Sequence, residues 1–208
     1  MNQYPQAMSG LILSGGKNLR MGQNKAFVQI EGVPIIQRIV DLFQTLFEEI
    51  IIIANEREPY LRFKAKIYGD LLPDAGALGG LYTGLFHSSF FYSFAVACDM
   101  PFLKRPVIEY LLSKAKGYDV TIPRTEDGYQ PLHAAYSKNC IGPIERLLGE
   151  RKRKIVDLFP FVHVNIVEAN EILRIDSKME SFININSLED LGRFIRTEAA
   201  SHDPKVRP

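Results

Sequence analysis

Ile50–Ala54 is apolar at every position. A strand with one wet face alternates polar and apolar residues, whereas an unbroken apolar run needs cover on both faces, as in a parallel sheet. Similar short runs recur at Gly10–Leu13, Phe94–Cys98, Val120–Ile122, Val162–Val167 and Phe182–Ile185, and Lys66–Tyr68 reads as a further short strand. Between them lie helical patterns. Pro34–Phe47 carries Ile35, Ile36, Ile39, Val40, Phe43, Leu46 and Phe47 at helical spacing, with Pro34 suited to a first turn. Pro106–Ala115 and Pro143–Leu148 read as helices, and Ser187 with Asp190 three residues on opens a last one. Strands separated by helices predict an α/β fold with a mostly parallel sheet. With 208 residues, residues 1–198 are expected to form a single domain, and the aperiodic stretch 199–208 a disordered tail.

Composition narrows the function classes. A net charge of +1 argues against nucleic acid as a partner. No apolar run approaches the roughly 20 residues of a membrane span. The first nine residues lack the basic patch and apolar stretch of a secretory signal. Cys98 and Cys140 offer neither a disulfide framework nor metal-ligand spacing, which fits a reducing, cytoplasmic setting.

Three segments carry chemistry. In Leu11-Ile-Leu-Ser-Gly-Gly-Lys-Asn-Leu-Arg-Met-Gly-Gln-Asn-Lys25, a glycine-rich loop follows the first strand, where open α/β sheets place ligands. Gly15 and Gly16 allow backbone N–H groups to close on an anion, and Arg20 and Lys25 can meet phosphate oxygens. The spacing matches neither a Walker A loop nor a dinucleotide fingerprint, and a glycine-rich turn with incidental cations is the plain alternative. In Ala97-Cys-Asp-Met-Pro-Phe102 an apolar strand runs into Asp99, which can hold Mg²⁺ at the cleft or else form a turn. Gly69-Asp-Leu-Leu-Pro-Asp-Ala-Gly-Ala-Leu-Gly-Gly80 is a second glycine-rich loop opening a helix. Asp70 there is again a cleft position, and Gly79 and Gly80 permit close packing on a ligand; a plain loop-to-helix connection is the alternative. The basic run Arg151–Lys154 is either a solvated turn or a phosphate contact.

Together with Gln130-Pro-Leu-His-Ala-Ala-Tyr136 and Phe182-Ile-Asn-Ile-Asn-Ser-Leu-Glu-Asp-Leu191, these segments resemble the molybdenum cofactor guanylyltransferases, from Leu11 to about Arg196. The resemblance implies a three-layer α/β/α, Rossmann-like, mostly parallel sheet of the nucleotidyltransferase type. It implies transfer of GMP from GTP to molybdopterin with release of pyrophosphate. Other small-molecule nucleotidyltransferases, cytidylyltransferases among them, are the nearer alternative, and a non-catalytic cofactor-delivery subunit the more distant one. The resemblance places nucleotide contacts at Leu13, Ser14, Gly15, Lys25, Asp70 and Asp99, with Asp99 also the Mg²⁺ ligand. Gln130, His133, Asn184 and Asn186 fall to the pterin side, with structural roles in a strand or a polar network as their alternatives. Proteins that deliver molybdopterin or mature molybdoenzymes are the implied partners. Four positions depart from the family pattern: Ser14 stands for the common Ala, Asn24 for Asp, Ala77 for Pro, and Ile53 where some members have Asn.

Overall fold

The computed structural model describes residues 7–14, 24–185 and Gly192. The first half comprises β1 (Ser9–Leu13), a small hairpin of β2 (Gln29–Ile30) and β3 (Val33–Pro34), α1 (Ile35–Gln44), β4 (Glu49–Ile53), β5 (Lys66–Tyr68) and α2 (Gly76–His87). The second comprises β6 (Tyr92–Ala97), α3 (Arg105–Ser113), β7 (Val120–Thr125), β8 (Gly128–Tyr129), β9 (His133–Ser137), α4 (Ile141–Gly149), β10 (Val164–Glu168) and α5 (Ala169–Leu173).

The main sheet runs β10-β7-β9-β6-β1-β4-β5, with β8 added to β7. All neighbours on this path are parallel except those of β9, which runs antiparallel to both β6 and β7. Apolar residues at consecutive strand positions divide between the two faces. Ile12, Ile50, Ile52, Phe94 and Val96 join one core with α1 and α3, while Leu11, Leu13, Ile51, Ile53 and Ala95 join another with α2 and α4. Both faces are therefore dry, which is why these strands read as unbroken apolar runs rather than alternations. The result is the expected three-layer α/β/α arrangement.

Helix α1 shows how pattern becomes packing. Ile35, Ile36, Ile39, Val40 and Phe43 are buried on one stripe, Pro34 occupies the N-cap, and the Thr45 N–H bonds back to the Leu42 carbonyl as the helix ends. Truncating Phe43 to Ala would cost about 3–5 kcal/mol through lost burial and the cavity left behind.

One expectation needs correction. Phe182–Ile185 is not a strand: Glu180–Phe182 forms a 3-10 turn and the chain then runs extended, with the Ile185 N–H on the Asp99 carbonyl at 2.9 Å. Its alternating pattern reflects one buried side, since Ile185 is buried and Asn184 exposed. The reverse strand β9 was legible only as a polar element containing His133. The helix expected from Ser187 and the stretch 199–208 lie outside the described residues.

Candidate active site

The chain proceeds from β1 outward to β4 and β5, then returns to place β6 on the other side of β1. The carboxyl ends of β1 and β6 thus flank a switch point, where open α/β sheets bind ligands. Leu13 pairs with Ala97 in register, and the Cys98 N–H donates to the Leu13 carbonyl at 3.1 Å. Ser14 and Asp99 emerge side by side from this seam.

Asp99 is partly buried, with an 18% exposed side chain. One carboxylate oxygen faces the Lys25 ammonium at 3.7 Å; the other, Oδ1, is buried with no hydrogen-bond partner among the described residues. Burial raises the carboxyl above its ordinary range, and Lys25 draws it back only in part. An ion-paired carboxylate with a second, unsatisfied oxygen is a hard-donor position suited to one protein bond to Mg²⁺, an ion that otherwise takes phosphate oxygens and water. Among the described residues no group of three or more His, Cys, Asp or Glu side chains forms a metal cluster, so any ion here would lean on substrate oxygens.

Lys25 is positioned by a 3-10 turn, Lys25–Phe27, capped by the Asn24 side chain, which accepts from the Ala26 N–H. The same amide donates to the Tyr60 hydroxyl at 2.8 Å, and the Tyr60 hydroxyl also bonds to Ser14. Ser14 is therefore committed through its hydroxyl to Tyr60 and through its N–H to the Ile53 carbonyl. A nucleotide contact at Ser14 would use its carbonyl. Cys98, beneath them, is an inert thiol pushed up to about 12 by burial.

Across the cleft, Asp70 and Asn55 bond reciprocally: the Asp70 N–H donates to Asn55 Oδ1 at 2.9 Å and Asn55 Nδ2 donates to Asp70 Oδ2 at 3.0 Å. Ile53 is buried in the core, and Asn55, two residues on, is the amide that reaches the rim. The second glycine-rich loop turns at Gly76, whose φ of +63° favours glycine, and a Cβ on Gly80 would come within 3.1 Å of Leu13. The smallness of Gly80 thus seats α2 against the end of β1. Of the basic run, Arg153 bonds the Asp74 carbonyl through Nε, and its own carbonyl receives the Leu78 N–H, so it braces the start of α2.

On the far side of Asp99 a cavity of about 280 Å³ is lined by Ala97, Asp99, Met100, Gln130, Pro131, Leu132 and Asn184. Gln130 is held by its amide on Thr125 Oγ1 at 2.9 Å. Asn184 also lines a second cavity of about 630 Å³ between the β7–β8 turn, α5 and residues 177–183. His133 is a correction. Its ring is fully buried between Phe94 and Phe182, with neither nitrogen hydrogen-bonded among the described residues, so it sits in the core rather than on the cleft wall. Burial holds the imidazole down to about 3, with the Ser181 backbone and the Asp176 carboxylate only partly opposing it. Gly15, Gly16, Arg20 and Asn186 lie outside the described residues. The residue missed in the sequence was Tyr60, whose part in the site no residue pattern marks.

A model of the MobA-like NTP transferase domain matches residues 10–163. The chain belongs to this family. Among its relatives, the probable molybdenum cofactor guanylyltransferase of Pelotomaculum thermopropionicum is 36% identical, covering 88% of this chain and 89% of that protein. The molybdenum cofactor guanylyltransferase of Desulfosudis oleivorans is 34% identical, covering 89% and 93%. Among solved structures, molybdopterin-guanine dinucleotide biosynthesis protein A from Archaeoglobus fulgidus superposes with a TM-score of 0.79 at 26% identity, covering 93% of this chain and all of that one. Like other members of the MobA-like NTP transferase family, the chain is a nucleotidyltransferase, and the switch-point cleft is where that chemistry is to be sought.

Proposed function

We propose that the protein transfers GMP from GTP to molybdopterin, releasing pyrophosphate and forming the guanine dinucleotide form of the molybdenum cofactor. The observation that carries this reading is the Lys25–Asp99 pair at 3.7 Å on the β1–β6 seam, in a chain whose relatives are guanylyltransferases. The terminal phosphate of molybdopterin is already an anionic nucleophile and needs no general base. One of its oxygens attacks the α-phosphorus of GTP in line; the new P–O bond forms as the α–β bridge breaks, and the electron pair leaves on pyrophosphate. Catalysis is then a matter of placement and charge.

Gly15, Gly16 and Arg20 cradle the β- and γ-phosphates. Lys25 lies at the α-phosphate, where charge accumulates in the transition state. Leu13 and Ser14 offer backbone atoms, and Asp70, steadied by Asn55, bounds the nucleoside side. Asp99 would hold Mg²⁺, which when bound would neutralise charge on the triphosphate. Gln130 and Asn184, which line the 280 Å³ cavity, take the pterin side, together with Asn186, which lies outside the described residues. Proteins that deliver molybdopterin or receive the finished cofactor in the cytoplasm are the partners this reaction needs. No helix among the described residues is long and apolar enough to cross a membrane.

The test is pyrophosphate release by the purified protein with Mg²⁺ and molybdopterin, comparing GTP, CTP, ATP and UTP. GTP should exceed CTP by more than ~10-fold in kcat/KM, about 1.4 kcal/mol of transition-state discrimination. Equal rates, or a preference for CTP, would move the protein to the cytidylyltransferase reading.

A further inference from the structure

Tyr60 lies far from the reacting groups in sequence and carries none of the chemistry assigned above. Yet its side chain is fully buried, and its hydroxyl meets two residues that stand on either side of positions 15–23: Ser14, at the end of β1, and Asn24, just before Lys25. Burial raises the phenol above its ordinary range, so it keeps its proton. The direction of each bond then follows. Asn24 Oδ1 accepts from the Ala26 N–H at 3.1 Å, which fixes the amide and leaves Nδ2 to donate to Tyr60. Since Asn24 meets Tyr60 only as a donor, the Ser14 hydroxyl is the acceptor left for the Tyr60 proton. The amide cannot turn over without giving up the cap on the turn that carries Lys25. The ring itself is wedged against Phe27 at 5.1 Å and Phe63 at 6.5 Å, so the hydroxyl has little freedom to go elsewhere.

We propose that Tyr60 is a positioning residue for nucleotidyl transfer: its hydroxyl ties Asn24 to Ser14, closing the two ends of the glycine-rich loop and setting Lys25 against Asp99. The inference rests on Lys25 and Asp99 acting as proposed above. It makes Ser14 and Asn24 a matched pair, one an acceptor and one a donor. Removing the Ser14 hydroxyl leaves the Tyr60 proton buried with no acceptor, because Asn24 is already donating. Exchanging Asn24 for a carboxylate supplies an acceptor in its place.

The experiment measures pyrophosphate release with Mg²⁺, GTP and molybdopterin, and the melting temperature, for Tyr60→Phe, Lys25→Ala and the double variant. Tyr60→Phe should lower kcat about 10-fold in the parent but less than twofold in the Lys25→Ala background, since the clamp acts through Lys25. An equal loss in both backgrounds, or none in the parent, overturns the proposal. Lys25→Ala alone keeping near-parental turnover overturns the underlying reading instead. A second pair keeps the test independent of how well Tyr60→Phe folds. Ser14→Ala should lose activity severalfold, and Asn24→Asp added to it should restore most of that loss. Failure of the added change to restore activity refutes the matched pair.

Discussion

Two carboxylates mark the opposite ends of the sheet, and they are kept in opposite ways. Glu49, at the amino end of β4, accepts from the Ser9 hydroxyl at 2.5 Å, from the Ser89 N–H and hydroxyl at 2.8 Å each, and from Lys66 at 2.5 Å. Burial alone would raise it, but the bonds from Lys66, Ser9 and Ser89 outweigh burial and bring it down to about 2. Asp99, at the carboxyl end of β6, has one cation at 3.7 Å, one oxygen with no partner among the described residues, and a raised carboxyl. The first is a closed polar knot joining β1, β4, β5 and the turn before β6. The second carries an ionisation cost that Lys25 offsets only in part. A group left short of partners in the folded state is where a ligand can make a large difference.

The contrast breaks first, and most visibly, at Asp99. Asp99→Asn should lower turnover at least ~100-fold, the scale of losing one preorganised electrostatic element. Its melting temperature in metal-free buffer should be unchanged or higher, because a neutral amide avoids the cost of a buried charge. Near-parental turnover at limiting Mg²⁺ would make Asp99 a second structural carboxylate and erase the distinction. Glu49→Gln should do the reverse, costing on the order of 2–3 kcal/mol of stability at neutral pH and leaving turnover per folded molecule intact. The sign follows from the depressed carboxyl. Stability from Glu49 is fully present above about pH 4.5, the ordinary value, and is lost as pH falls towards about 2. Acid unfolding followed by circular dichroism should therefore be flatter over that window in Glu49→Gln.

Much of this was open to reading from residues alone. The parallel strands announced themselves because both faces are buried, and Asp99 stood just past the carboxyl end of β6, beside the seam with β1. Strand β9 did not, since His133-Ala-Ala-Tyr-Ser137 has no β-branched run, and its place is set by pairing with β6 and β7. Phe182–Ile185 misled for the opposite reason: an extended segment buried on one side carries a strand's alternation without joining a ladder. His133 shows a further limit, because a polar residue in the core and one on a site wall look alike in sequence. No pattern in the residues foretells that the Tyr60 hydroxyl would bridge Ser14 and Asn24.

Two smaller effects sharpen the picture. His133 lies close to the active end yet belongs with neither carboxylate. Because its folded value of about 3 is below the ordinary 6.5, it supports stability above about pH 6.5 and withdraws that support as pH falls towards 3. His133→Leu should remove this part of the acid sensitivity and shift stability at pH 7 by only about 1 kcal/mol, with turnover unaffected. A large drop in turnover with normal stability would return His133 to the site. Smallest should be Asn184→Ala, on the exposed rim: a rise of a few-fold in the molybdopterin KM with the GTP KM unchanged. Equal changes in both would deny the two halves of the cleft their separate roles.

The reversed course of β9 has a consequence for how such a cleft can be altered. Parallel strands offer the cleft only the loops that leave them, but a strand running the other way presents the loop that enters it, here Gln130–Leu132. If the two halves of the cleft divide as proposed, the nucleotide side is written almost wholly in residues before about 100, and the acceptor side in residues after 120 together with the flank of Asp99. Each side could be cut and replaced as a continuous length of chain, with the hydrogen bond from Ile185 to the Asp99 carbonyl as the stitch that a graft would have to preserve.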